Sequence, residues 1–162
     1  MKIVLIAGAV IVALIAIVMI VGALLPRHHT ASRSLALKQS RRAVYDVVRD
    51  VASAPQWREG VRKVEILGPA RFSEQSKFGV VTYDIVEDDP ARKFVTRIAD
   101  QNLGYSGSWT YLFEDAPVGS RITITEDGEV SNIFFRFMSQ FVFGYTGTME
   151  TYLKALERRL GG

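Results

Sequence analysis

From Ile3 to Leu25 the chain carries neither a charged nor a polar side chain, and this run of 23 residues constrains everything that follows. As a helix it reaches about 34 Å at 1.5 Å per residue, slightly more than the hydrocarbon core of a bilayer. Gly8 and Gly22 interrupt it, and membrane helices tolerate both. Pro26 and Arg27 close it. A secretory signal peptide is the competing reading, with Val21-Gly22-Ala23 as its cleavage site. The stretch is longer than the roughly 7–15 apolar residues of such a peptide, and Met1-Lys2 is a thin basic start. The sequence therefore predicts a retained transmembrane anchor over residues 1–26.

Charge sets the expected orientation. Arg27, Arg33, Lys38, Arg41 and Arg42 follow the helix with no acid among them, against Lys2 and the amino terminus at its other end. The positive-inside rule then places the rest of the chain on the cytoplasmic side. These charges read as topology signals first and as headgroup contacts second.

The remainder is a folding sequence of one-domain size, since the chain is 48% hydrophobic and 23% charged. The absence of cysteine excludes a disulfide scaffold, thiolate metal sites and a cysteine nucleophile. A formal charge of +3 is too small to point to nucleic acid.

Residues 27–34 read as a linker and 35–162 as the domain. Ser34 to Gln39 alternates as a strand, with Leu35 and Leu37 on one face. Ser40 caps a helix from Arg41 to about Val51, with Val44, Val47, Val48 and Val51 on one stripe. Ser53 and Pro55 open a short second helix carrying Trp57. Strands are predicted at 62–67, 78–87, 92–99, 105–114 and 120–129, with residues 70–77 irregular and Asp88-Asp89-Pro90 a solvated turn.

The strand faces sort cleanly. Val81, Tyr83, Ile85, Phe94, Thr96, Ile98, Trp109, Tyr111, Phe113, Ile122 and Ile124 share one face. Thr82, Asp84, Arg97, Ser106, Ser108, Thr110, Arg121, Thr123 and Thr125 share the other. That describes an antiparallel sheet with one dry face and one wet face. Phe134, Met138, Phe141, Val142, Tyr145, Met149, Tyr152, Leu153, Leu156 and Leu160 recur at spacings of three and four, predicting one long amphipathic helix from about Asn132 to Leu160. Gly144 and Gly147 lie inside it. The expected architecture is α+β, a curved antiparallel sheet wrapping a long C-terminal helix behind one transmembrane helix.

The segment Arg42-Ala-Val-Tyr-Asp-Val-Val-Arg-Asp-Val-Ala-Ser-Ala-Pro-Gln-Trp-Arg-Glu-Gly-Val-Arg-Lys-Val-Glu-Ile-Leu67 resembles the opening of START-like domains. This is the SRPBCC superfamily, in its polyketide cyclase/dehydrase and lipid transport branch. Trp57 followed by Val61, Val64 and Ile66 is the most characteristic part. Gly119-Ser-Arg-Ile-Thr-Ile124 is similar to the strand after the family's last hairpin. The resemblance runs from about Ser32 to Leu160. It implies a helix-grip fold with a cavity between sheet and helix, and binding of lipids or other apolar molecules.

Within such a cavity, Tyr83, Thr96, Trp109 and Tyr111 would line the sheet side, and Met138, Phe141, Tyr145 and Met149 the helix side. Aromatic rings supply apolar area, tyrosine and tryptophan add a polar tip, and methionine adapts to an irregular guest. The same residues also suit a filled core. Chemistry beyond binding has thin support. His28 and His29 are adjacent, with no third ligand near, so no metal or cofactor is expected. A serine–histidine–aspartate relay inside the domain is not available. Glu126 reads as a solvent-facing strand end before it reads as an acid or base. The expected partners are a membrane and a hydrophobic small molecule or lipid, with no nucleic acid. The alternatives are a cyclase/dehydrase-type enzyme and a pocketless interaction module.

Overall fold

In the computed structural model, which describes residues 2–161, the apolar run forms α1 (Lys2–Leu24), a helix long and apolar enough to cross a membrane. The chain then enters β1 (His28–Leu37) with only Leu25, Pro26 and Arg27 between. Residues 28–34, expected as a linker, are therefore strand. β1 pairs with β7 (Ser120–Val130) along its whole length, from His28 opposite Glu129 to Leu37 opposite Ser120. Backbone pairing fixes this register, helped by hydroxyl contacts on the outer face between Ser34 and Thr123 at 2.8 Å and Ser32 and Thr125 at 3.1 Å. None of these groups carries an apolar signal, which is why the first half of the strand escapes a hydrophobic reading.

The remaining strands are β2 (Val61–Gly68), β3 (Arg71–Ser76), β4 (Gly79–Asp89), β5 (Lys93–Ile98) and β6 (Tyr105–Asp115). Together they form one seven-stranded antiparallel sheet in the order β1-β7-β6-β5-β4-β3-β2. The alternation in the sequence holds: Phe94, Thr96, Tyr111, Phe113, Ile122 and Ile124 are buried on the inner face. β3 is the strand the sequence does not announce. Only Phe72 of its six residues is a large apolar group, and Glu74 points inward beside it.

Ser40 caps α2 (Arg41–Arg49), accepting from the Ala43 amide at 3.3 Å. Val44, Tyr45 and Val48 pack from it into the core. Pro55 sits in a short 3-10 helix, Val51–Gln56, that carries the chain to Trp57. Asp88 is more than a solvated turn residue. It accepts from the Tyr45 hydroxyl at 2.6 Å and from Arg49 at 2.6 Å, tying α2 to the β4–β5 turn. Burial and that carboxylate push the Tyr45 hydroxyl up to about 12.

The C-terminal helix is present but not continuous. It divides into α3 (Ile133–Met138), a π turn (Ser139–Phe143) and α4 (Gly147–Arg159). The break falls at Gly144, whose φ of 68° is costly for any residue with a Cβ. α4 crosses the inner face closest to β1, burying Met149, Tyr152, Leu153, Ala155 and Leu156. α3 turns aside and packs on α1.

The register defines two ends of the sheet. The near end carries Arg27, which accepts from the Val130 amide, the β3–β4 hairpin closed by Ser76 and Gly79, and the 99–104 loop. The far end carries Leu37, Ser120 and the C-terminus of α4, where Gln39 donates to the Leu160 carbonyl at 2.6 Å.

Candidate functional site

The inner face divides at the line where α4 crosses it. On the β1 side and beneath the helix, side chains interlock. Tyr152 reaches from α4 to meet Trp57 at 5.3 Å, Tyr111 at 5.7 Å and Trp109 at 5.8 Å between ring centroids. Met149 and Leu156 are wholly enclosed. On the other side, over β4 and β5, the face is only partly covered: Val81, Tyr83, Ile85 and Ile98 are half-buried, as is Trp109 at the boundary. This half-covered trough is the candidate binding surface.

A polar cluster sits at its base. Arg58 follows the 3-10 helix and forms a two-pronged ion pair with Glu74 of β3. Its guanidinium lies 5.1 Å from the centre of the Tyr152 ring. Burial opposes the charge on Arg58, but Glu74 outweighs it, so the pKa is raised. Tyr83 stacks on Phe72 at 5.3 Å. Burial is the first cause holding the hydroxyls of Tyr83, Tyr111 and Tyr152 above the usual tyrosine range, and the Glu74 carboxylate adds to it. Hydrogen bonds among Thr96, Tyr111 and Tyr152 work the other way. These hydroxyls are therefore neutral at physiological pH, suited to orienting a guest and poor at abstracting a proton.

A second constellation closes the trough toward the near end. His29 Nε2 lies 3.0 Å from Glu126 Oε1, and Trp109 Nε1 donates to Glu126 Oε2 at 2.7 Å. The His29 ring stacks on Tyr145 at 4.0 Å. Glu126 thus faces inward and half-buried, not outward at a strand end. Its parity with Ile122 and Ile124 carried that signal, and its charge masked it.

At the other side, an open recess of about 440 Å³ lies between Pro55–Glu59 and the last turn of α4, Ala155 to Arg159. Its rim is polar, with Arg158 paired to Glu59 at 2.8 Å. The buried Trp57 indole N–H beside it has no partner among the described residues.

The eight residues singled out from the sequence do not form one wall. Tyr83 and Trp109 line the trough. Thr96 and Tyr111 sit below it in the core, and Met149 is enclosed under α4. Tyr145 lies in the break between helices, against His29. Met138 and Phe141 are on α3 and the π turn, carried away from the sheet. Phe141 is 59% exposed and meets Phe137, not a strand. The helical spacing of three and four continues through Gly144, so periodicity alone places them with α4. Sequence reasoning missed the importance of Tyr152, Arg58 and Glu74. Tyr152 stands three residues after Met149 on the same stripe, and that spacing was the available signal.

Among the described residues no cluster of three histidine or acidic groups is placed to hold a metal.

A family model described as polyketide cyclase / dehydrase and lipid transport matches residues 28–161. No curated protein matches in sequence. Among solved structures, a START superfamily protein from Mycobacterium smegmatis is similar at TM-score 0.68 and 17% identity, over 82% of this chain and 97% of that one. The norcoclaurine synthase of Thalictrum flavum is similar at TM-score 0.66 and 14% identity, over 82% and 86%. The di-domain ARO/CYC StfQ from the steffimycin biosynthetic pathway is similar at TM-score 0.67 and 12% identity, over 83% of this chain and 53% of that one. At these identities the likeness is one of fold.

Proposed function

The chain belongs to the polyketide cyclase / dehydrase and lipid transport family, and on that premise we propose that it binds a hydrophobic small molecule or lipid beside the membrane in which α1 anchors it. The observation that carries this reading is the half-covered inner face at Val81, Tyr83, Ile85, Ile98 and Trp109, apolar in area and tipped with the neutral Tyr83 hydroxyl. Apolar burial of about 25 cal/mol per Å² supplies the drive, and that hydroxyl orients the guest. Only three residues separate α1 from β1, so the near end of the trough stays within reach of the bilayer. An apolar guest then crosses little water. The basic residues after α1 support a cytoplasmic position for this domain by the positive-inside rule.

Two members of this fold class named above are synthetic enzymes. Burial keeps the Tyr83 and Tyr152 hydroxyls protonated, so they donate hydrogen bonds to a guest and do not serve as bases.

Mass spectrometry of the full chain extracted from its native membrane tests the proposal. The expected result is one class of apolar molecule held near stoichiometrically. Adherent lipid that merely mirrors the bulk membrane composition removes the reading.

A further inference from the structure

α1 is not uniformly bare. Among its described residues all are exposed except Val18, Val21 and Gly22, and the partly covered Leu25 continues the same stripe at helical spacing. The element that covers this stripe is α3. The approach is close: a Cβ at Gly22 would collide with the Ile133 carbonyl. Arg136, buried, clamps the pair by donating from Nη1 to the Leu25 carbonyl at 3.0 Å and from Nη2 to the Ser131 carbonyl at 3.3 Å. A cation on the last carbonyls of a helix is favourable for its dipole.

This fixes the depth of α3. The stretch from Val18 to Leu25 occupies about 10 Å at the end of a membrane-spanning helix. A segment held alongside it sits where an interfacial helix would, about 5–10 Å into the headgroup and acyl boundary. The outward surface of α3 and the π turn fits that place: Phe134, Phe135, Phe141 and Val142 are all large, apolar and exposed. A water-facing surface of four such neighbours is unusual for a folded domain.

A second element at the same end of the sheet agrees. The tip of the β3–β4 hairpin is Lys77-Phe78, with Phe78 89% exposed and the Lys77 ammonium 4.8 Å from its ring centre. An aromatic beside a cation is the pairing expected at headgroup level.

We infer that α3, the π turn and the Phe78 hairpin tip are immersed in the boundary layer of the same bilayer that α1 crosses, making the near end of the domain a membrane-embedded lip beside the trough. The inference rests on the anchor reading of the preceding subsection. Its occupant is lipid, because the exposed surface is continuous with α1 and is locked to it by Arg136. The break at Gly144 then has a use: it lets the chain leave the sheet and follow the anchor.

The chain has no cysteine, so each single introduced cysteine is a unique label site. The experiment attaches a polarity-sensitive fluorophore to the full chain in vesicles of phosphatidylcholine and phosphatidylglycerol. Lipids spin-labelled near the headgroup or at the chain end serve as quenchers. The sites are Phe141→Cys, Phe135→Cys and Phe78→Cys, with Val12→Cys in α1 and Val118→Cys in the far-end β6–β7 turn as references. The expected result is strong quenching at the three lip sites by the shallow label, at Val12 by the deep label, and none at Val118. Quenching at Val12 with none at the lip sites overturns the inference and leaves the anchor standing. A fluorophore shielded from water yet unquenched by either lipid overturns it in favour of a second copy or another protein on this face. Absence of quenching at Val12 removes the anchor reading and the inference with it.

Discussion

The two ends of the sheet are finished differently. At the far end, α2 and the C-terminus of α4 seat their polar groups on partners: Tyr45 and Arg49 on Asp88, Ser120 on the Gln39 carbonyl, Gln39 on the Leu160 carbonyl. Val44, Tyr45, Val48 and Phe113 are buried beneath them. At the near end the largest apolar side chains face outward, from Phe78 across to Phe141. The far end exposes aliphatic groups, Ile66, Leu67 and Val118, whereas the near end exposes phenylalanine rings. The difference teaches where the proposed bilayer contact would form, at the end of the sheet next to α1.

The contrast yields predictions that scale with how deeply each group is enclosed. Leu156→Ala, at a fully buried position under α4, should cost about 2–5 kcal/mol, read by denaturant unfolding in detergent. A cost below about 1 kcal/mol would mean that α4 is not packed on the sheet. Glu74→Gln should cost about 2 kcal/mol, less than a fully buried pair because the side chains of Arg58 and Glu74 keep 23% and 13% exposure. Asp88→Asn, which weakens two bonds at the far end, should cost about 1 kcal/mol in the same assay. Phe141→Ser should change folding stability by less than about 0.5 kcal/mol, since that ring is already exposed. A large loss there would show that the near end is core and break the comparison.

The tyrosines give a pH test with a definite sign. Their folded pKa values lie above the reference 10.0, with Tyr45 at about 12. The unfolded chain therefore releases these protons first as pH rises. Stability from this source is fully present below pH 10 and is lost through the interval from 10 toward 12 and beyond. Urea midpoints measured at pH 9 and pH 11 should fall between the two, and Tyr45→Phe should reduce the fall. An unchanged midpoint would mean that the hydroxyls are freely solvated.

How much of this was legible follows from which signal each element obeys. Period-two alternation assigned the inner face of β4 to β7 correctly, because inner positions are mostly apolar and outer positions mostly polar. β3 was invisible because its inward Glu74 is matched by Arg58, a charge pair that hydrophobic periodicity reads as polar loop. The first half of β1 was invisible because backbone pairing and polar side-chain contacts, not apolar burial, hold it. The site suffered most at Gly144. Spacing kept Met138 and Phe141 in line with Met149, while the competing surface of α1 took them elsewhere. No local pattern reports that competition. His29 and Glu126 were read apart because 97 residues separate them, and only the β1–β7 register brings them together.

The central claim is that an apolar guest lies against the inner face at Trp109. The most direct test compares how much bound apolar molecule is retained per chain by Trp109→Ala and by Ser108→Ala, both purified from the same membrane with folding verified by circular dichroism. The two side chains point to opposite faces of β6. The account predicts a severalfold loss for Trp109→Ala and retention unchanged for Ser108→Ala. Equal retention in the two variants would contradict it.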